Sequence, residues 1–508
     1  MRIQPQREEF RERAALGNVV PVFTDMVADA VMPVTAYAAL PAGYRFLLES
    51  AEHSDHVGRY SFVGCDPLIL FEADGQRVRL REGDSEREFE AAGDPLDDLR
   101  ELMAGYRFGG EPPPGGPWFC GGAVGYLGYD MVRHFEPTIP PPAGDSLGLP
   151  DMLFMVASSL LVFDHRQRKL RLLANAIVGA DGADAAYDRA LAAIHQLQAR
   201  LERLAELPPI AIGDAVPGME VASNTSRDEY LAIVERVQEY IRAGDIFQIV
   251  PSQRFQTGYA GDPLTLYRCL RFVNPSPYMF CLEFGGRFAV VGSSPEVHVR
   301  AIDGKVEIRP IAGTRPRGGD EAEDAALERE LLADPKERAE HIMLVDLARN
   351  DVGRIAEFES VEVTDLMIIE RYSHVMHIVS NVVGRLSPGR DAYDVMRATF
   401  PAGTVSGSPK IRAMQIINEV EKSKRGVYAG AVGYFGFDGN LDSCITLRTV
   451  VVVDGTAYVQ AGGGVVADST PQGEYQETVN KAMGMMKAIG LAERVASRGG
   501  AGDGGDAT

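Results

Sequence analysis

Two pairs of glutamates are the residues of this chain best suited to chemistry. Glu337 and Glu340 stand three positions apart in a helix-forming stretch, and Glu474 and Glu477 repeat that spacing near the start of the last helix. Residues i and i+3 share a helix face, so each pair presents two carboxylates together. Carboxylates from two helices suit a hard cation such as Mg²⁺, which takes oxygen ligands and keeps several waters. Each pair alone fits a solvated helix face equally well. Glu474 and Glu477 follow Gly462-Gly463-Gly464, and a triple glycine beside a helix start lets backbone N–H groups approach an anion closely. Lys481 lies four positions beyond Glu477 on the same face. Arg448 interrupts an apolar strand pattern in Thr446-Leu447-Arg448-Thr449, where a charge is either paired or aimed at an anion. His377, inside Val375-Met376-His377-Ile378-Val379, fits a hydrogen-bonded core histidine or, beside a pocket, an acid–base group. His374 would face the other side of that strand and is a poor joint metal ligand with it.

The elements that must position these residues are organised by an internal repeat. Gly58-Arg59-Tyr60-Ser61-Phe62-Val63-Gly64 recurs as Gly286-Arg287-Phe288-Ala289-Val290-Val291-Gly292, and Gly122-Ala123-Val124-Gly125-Tyr126 recurs as Gly430-Ala431-Val432-Gly433-Tyr434. The gap between the segments is longer in the second copy, and that surplus holds most of the residues just named. The pattern predicts an α+β fold of two pseudo-repeated halves, with antiparallel sheets packed as a sandwich-like core and helices outside. Residues 18–206 form the first half, 207–226 a linker rich in Pro, Gly and Ser, and 227–492 the second half with the cleft. Residues 496–508 are Gly-rich and expected to be disordered. Ser226 with Glu229 reads as a capping box, Ser408-Pro409 as a helix start, and 322–347 as one long helical stretch. Gly144-Asp145-Ser146-Leu147-Gly148 matches a hydrolase nucleophile pattern but lies in a proline-rich loop rather than at a strand–helix corner.

Composition narrows the partners. The net charge of −21 argues against nucleic acid and anionic lipid, and means that an anionic substrate needs a local cation. The five cysteines show no C-x-x-C spacing and read as reduced, cytoplasmic thiols. The charged N-terminus lacks the apolar run of a signal peptide, and no apolar stretch is long enough to span a bilayer.

Four motifs together resemble the chorismate-utilising enzymes, and among them the large, synthase component of anthranilate synthase. They are Pro310-Ile311-Ala312-Gly313-Thr314-Arg315, Glu340-His341-Ile342-Met343-Leu344-Val345-Asp346-Leu347-Ala348-Arg349-Asn350-Asp351, Pro401-Ala402-Gly403-Thr404-Val405-Ser406-Gly407-Ser408-Pro409-Lys410, and Gly462-Gly463-Gly464 with Glu474, Glu477 and Lys481. The resemblance covers residues from about Val20 to Ala492. It implies that ammonia adds at C2 of chorismate as the C4 hydroxyl leaves, and that pyruvate is then eliminated to give anthranilate.

The resemblance also implies roles. Glu340 and Glu477, supported by Glu337 and Glu474, would hold Mg²⁺ against the ring carboxylate. Arg448 and Tyr428 would hold the enolpyruvyl carboxylate, helped by the backbone near Gly462, Gly463 and Gly464, while Gly313 and Thr314 contact substrate. His377, Thr404 and Lys481 stand where the family places catalytic groups. Gln248 replaces the lysine of water-using members, and Ala312 the lysine of aminodeoxychorismate synthases, so ammonia attack at C2 is favoured. A separate glutamine amidotransferase subunit, in a heterotetramer, is expected to supply ammonia. Leu48, Glu49 and Ser50, with Pro277, Tyr278 and Met279, match segments that bind the feedback inhibitor tryptophan in the family.

Overall fold

The computed structural model describes residues 2–50, 58–110, 119–145, 147–204, 206–211, 219–372 and 375–500. Two large antiparallel sheets dominate it, one of eleven strands and one of twelve among the described residues. Side chains alternate across each strand, and that alternation builds three apolar layers. Phe46, Phe280, Leu282 and Phe284 of the first sheet face Val124, Tyr126, Val432 and Tyr434 of the second, forming the layer between the sheets. Their neighbours Leu47, Met279 and Cys281 point the other way, against helices that carry Ile194, Leu266, Met485 and Ile489. On the far side of the second sheet, Ala123 and Leu127 pack with Leu99, Val345 and Met396. Each buried aromatic or aliphatic side chain contributes about 1.5–3 kcal/mol, so this helix–sheet–sheet–helix stack is the principal source of stability.

The two repeats share both sheets. The Gly122–Leu127 strand pairs with its own repeat, Ala431–Gly436, with Gly125 opposite Gly433. The Tyr44–Glu49 strand pairs likewise with Tyr278–Phe284, with Leu47 opposite Cys281. The copies also pack alike: the Phe46 ring covers Gly64 on the next strand, and the Phe280 ring covers Gly292. A side chain at either glycine would collide with the ring, which gives the repeated glycine a physical reason.

Several boundaries differ from the sequence reading. The 322–347 stretch is two helices, Glu321–Ala333 and Pro335–Gly353, because Pro335 has no N–H to continue the first and Asp334 caps the second. Part of the 207–226 linker forms the edge strand Ala222–Ser223, which pairs with Ser252–Gly258. The Ser226–Glu229 capping box is present. Ser408 lies in a short bridge paired with Gln248, and the helix starts at Lys410 with Pro409 as its cap residue. The last helix spans Pro471–Gly500, overlapping the start of the expected 496–508 tail, and residues 501–508 lie outside the described residues. His374 and Ser146 also lie outside them.

Candidate active site

A cavity of about 550 Å³ opens beside the second sheet, and all of its lining residues lie in the second half of the chain. Glu340 reaches it from the Pro335–Gly353 helix; Glu474, Glu477 and Lys481 reach it from the Pro471–Gly500 helix. His377 comes from the Val375–Arg385 strand and Thr314 from the adjacent Ile311–Pro316 strand. Thr404, Tyr428, Arg448, Gly462 and Gly464 line it as well, whereas Gly313 and Gly463 of the sequence-derived set are not part of its lining. Gln248 and Ala312 line it too, so both discriminating positions face the same space and neither offers an amine.

Arg448 is not inside a strand. The chain crosses from the second sheet (Leu441–Ile445) to the first (Thr449–Val453), and Arg448 sits in that crossover with φ +47°. Its carbonyl accepts a hydrogen bond from the Ser293 N–H at 3.1 Å, and its guanidinium donates to Asn274 Oδ1 at 3.4 Å. An apolar period could not reveal this left-handed turn, because it depends on the meeting of two sheets.

The glycines owe their identity to close packing. A Cβ on Gly462 would stand 2.8 Å from the Tyr428 hydroxyl, on Gly463 2.7 Å from Glu474 Oε2, and on Gly464 2.8 Å from Gln248 Nε2. Gly313 has φ +69° in a bulge where Ala312–Thr314 slip against the neighbouring strand. Its carbonyl lies 3.0 Å from His377 Nδ1. A carbonyl only accepts, so the ring proton sits on Nδ1 and Nε2 carries a free lone pair. Burial, reinforced by Arg448, lowers the His377 pKa and keeps the ring neutral.

The four glutamates divide three to one. Glu340, Glu474 and Glu477 face the cavity, whereas Glu337 is not part of its lining and accepts from Arg315 at 3.3 Å. Among the described residues, no three acidic, histidine or cysteine side chains are drawn into a ready-made metal cluster. The acids nevertheless fit a cation. Glu474 Oε2 is buried without a hydrogen-bond partner. Burial raises the pKa of Glu340 and of Glu474, and the neighbouring carboxylates Glu337 and Glu477 raise them further. A cation would relieve that repulsion. Lys481 neutralises part of it, pairing with Glu477 at 2.8 Å while donating to the Gly462 carbonyl at 3.0 Å.

Sequence reasoning missed Glu296. It lines the cavity, is 9% exposed, and burial pushes its pKa up to about 8. Thr404, Lys481 and Arg448 offset that only in part. A carboxyl group protonated at neutral pH in a polar cavity is an acid ready to donate. Its sequence signal, Ser294-Pro295-Glu296 just past the second repeat, has no diagnostic spacing.

The segments matched to an inhibitor site do meet. Met279 stands opposite Glu49, and Phe280 opposite Leu48. Glu49 is buried against the Tyr267 hydroxyl at 2.7 Å and Arg271 at 3.2 Å, and Ser50 is buried beside it. The Tyr278 hydroxyl donates to Asp442 at 2.9 Å. Pro277 lines the large cavity, so the strand Tyr278–Phe284 links the two regions.

Comparison with known proteins agrees with this geometry. Residues 44–487 match the family model described as chorismate binding enzyme. The chain is 48% identical over 497 residues to anthranilate synthase component 1 of Pseudomonas aeruginosa, covering 96% of this chain and 99% of that one. It is 46% identical over 513 residues to the Synechocystis protein of the same name, covering 96% and 99%. The solved anthranilate synthase component I of Streptococcus pneumoniae superposes with a TM-score of 0.74 at 37% identity, covering 91% and 99%. A menaquinone-specific isochorismate synthase from Escherichia coli shares the fold, with a TM-score of 0.69 at 18% identity over 95% and 100%. With its motifs gathered on one cavity and 96% of its length matched by these relatives, the chain belongs to the chorismate-binding enzyme family, on the anthranilate synthase component 1 branch.

Proposed function

We propose that this chain converts chorismate and ammonia to anthranilate and pyruvate, the committed chemistry of tryptophan biosynthesis. The observation that carries this reading is one cavity that gathers Glu296, whose pKa burial pushes up to about 8, and His377, whose pKa burial lowers, between cationic and acidic walls. Arg448 provides the cation for the enolpyruvyl carboxylate, with Tyr428 beside it. Glu340, Glu474 and Glu477 would hold Mg²⁺, with Glu337 behind them. When bound, Mg²⁺ offsets the charge of the ring carboxylate and of the glutamates.

Ammonia forms the new bond at C2 while the C4–O bond breaks. Glu296 gives its proton to the departing hydroxyl, which leaves as water, and a proton lost from the new ammonium nitrogen restores Glu296 through solvent. His377 Nε2 then takes the C2 proton, the enolpyruvyl C–O bond breaks, and the proton ends on the methyl group of pyruvate. Gln248 cannot act as the base that activates water, and Ala312 cannot form a covalent amine adduct, so ammonia is the nucleophile.

Ammonia is scarce as NH₃ at neutral pH. We therefore assign its supply to a separate glutamine-hydrolysing subunit, in a heterotetramer, and place the assembly in the cytoplasm. All five cysteines are free and buried, as befits a reducing compartment, and no helix among the described residues is long and apolar enough to cross a membrane. The purified chain should form anthranilate from chorismate, Mg²⁺ and ammonium salts at raised pH, and none with glutamine alone. Turnover with glutamine by the isolated chain would refute the partner; failure with ammonium would refute the reaction. We assign tryptophan to the segments Leu48, Glu49, Ser50 and Pro277, Tyr278, Met279, acting by preferring an inactive arrangement.

A further inference from the structure

Behind Thr404, away from the large cavity, lies a second chamber of about 30 Å³. Glu296, Leu344 and Thr404 line both spaces, whereas Asp351, Thr399 and Ala402 line the chamber alone. Asp351 and Lys410 belong to the family motifs but have no part in the reaction described above. They form an ion pair of 2.6 Å between Lys410 Nζ and Asp351 Oδ2, and Nζ also donates to the Thr399 carbonyl at 3.2 Å.

Two polar atoms here have unmet hydrogen-bonding capacity. Asp351 is 4% exposed, and its Oδ1 accepts no hydrogen bond. The Thr404 Oγ1 is buried, and apart from its interaction with the Glu296 carboxyl it has no hydrogen-bond partner. His298, also in the wall, is already engaged: Nδ1 lies 3.2 Å from Ser443 Oγ, and Nε2 lies 3.3 Å from Thr399 Oγ1. Buried polar atoms left without partners are costly, and a polar void of this size is sufficient for ordered water.

The geometry points to a structural water in this chamber that bridges Asp351 Oδ1 and Thr404 Oγ1 and sets the direction of the Thr404 hydroxyl. A carboxylate paired with lysine only accepts, so one water hydrogen goes to Asp351. The second goes to Thr404 Oγ1, which turns the threonine's own O–H toward Glu296 and the large cavity. Asp351 and Lys410 are thus positioning residues for the acid side of the site, acting through water and Thr404.

The orientation role rests on the acid role given to Glu296; the water itself is testable without activity. A high-resolution crystal structure of the full chain should show a water within hydrogen-bond distance of both atoms. Two variants should leave the chamber dry. Asp351→Leu combined with Lys410→Met removes both charges together and orphans neither. Ala402→Val fills the void from a position outside the large cavity, and decides the matter alone if the double variant does not fold. In each, kcat should fall about tenfold while the chorismate KM stays within about twofold, the signature of a group acting in the transition state. A dry chamber in the parent, or dry variants with parental kcat, would overturn the proposal. A hydrated chamber in a chain inactive on chorismate would uphold the water site and count against the reaction instead.

Discussion

In the proposed reaction Glu296 and His377 divide the acid and base work by environment rather than by residue type. Burial holds the first protonated and the second neutral, so both are in their working forms near pH 7. The sign of the pH dependence follows. Glu296 must be protonated, so kcat should fall as pH rises through about 8. His377 must be unprotonated, and its lowered pKa puts the acid limb below the ordinary histidine value of 6.5. Glu296→Gln should lower kcat by roughly 10²–10³ with little change in KM, and should abolish the alkaline limb; a variant that keeps that limb would assign it to another group. Glu296 also marks where residue-level reading stops. Its neighbours in sequence give no periodic or motif signal, and it is burial that makes it hold its proton. His377, Glu474 and Lys481 were legible because their motifs are local.

At the scale of elements, the site depends on short departures from regular structure. Pro335 ends one helix and starts the next, which places Glu337 and Glu340 in the first turns of a new helix rather than midway along a long one. There the backbone amides favour negative charge. The crossover at Arg448 brings its side chain to the cavity wall, and the bulge at Gly313 aims a carbonyl at His377. Gly463 is the clearest test of this scale. A methyl group there would stand 2.7 Å from Glu474 Oε2 and push that carboxylate aside. Gly463→Ala should weaken Mg²⁺ activation by about tenfold or more, measured as the Mg²⁺ concentration for half-maximal rate, with thermal stability little changed. An unaltered Mg²⁺ requirement would remove Glu474 from the cation site. The i, i+3 spacing announced that carboxylates would share helix faces, but not that Arg315 would engage Glu337, because that pairing joins a strand to a helix.

At the scale of the molecule, duplication explains both the frame and the place for control. The repeated strands pair with each other at Gly125–Gly433 and lie edge to edge at Leu47–Cys281, so each sheet is half one copy and half the other. A Cβ at Gly125 would overlap the Leu153 carbonyl. Gly125→Ala should therefore destabilise the whole fold by about 3 kcal/mol, seen as a lowered Tm by calorimetry with one cooperative transition; two separate transitions would mean that the halves unfold independently. The site proposed for tryptophan falls on the other junction, where the first copy meets the strand that follows Pro277 at the cavity wall. Ser50→Phe should raise the tryptophan concentration for half inhibition by about tenfold or more while leaving uninhibited turnover within about twofold, and a parental inhibition curve would remove Ser50 from the site. The sequence alone determined the repeat, the α+β class, the family and most cavity side chains, since these rest on period, spacing and local motifs. Only the tertiary structure decided that the halves merge into common sheets, that Glu296 is buried at the cavity, that Arg448 turns at a crossover, and that Asp351 and Thr404 face a shared void. Each of those depends on burial and contact between segments distant in the chain, and burial is a property that no residue carries by itself.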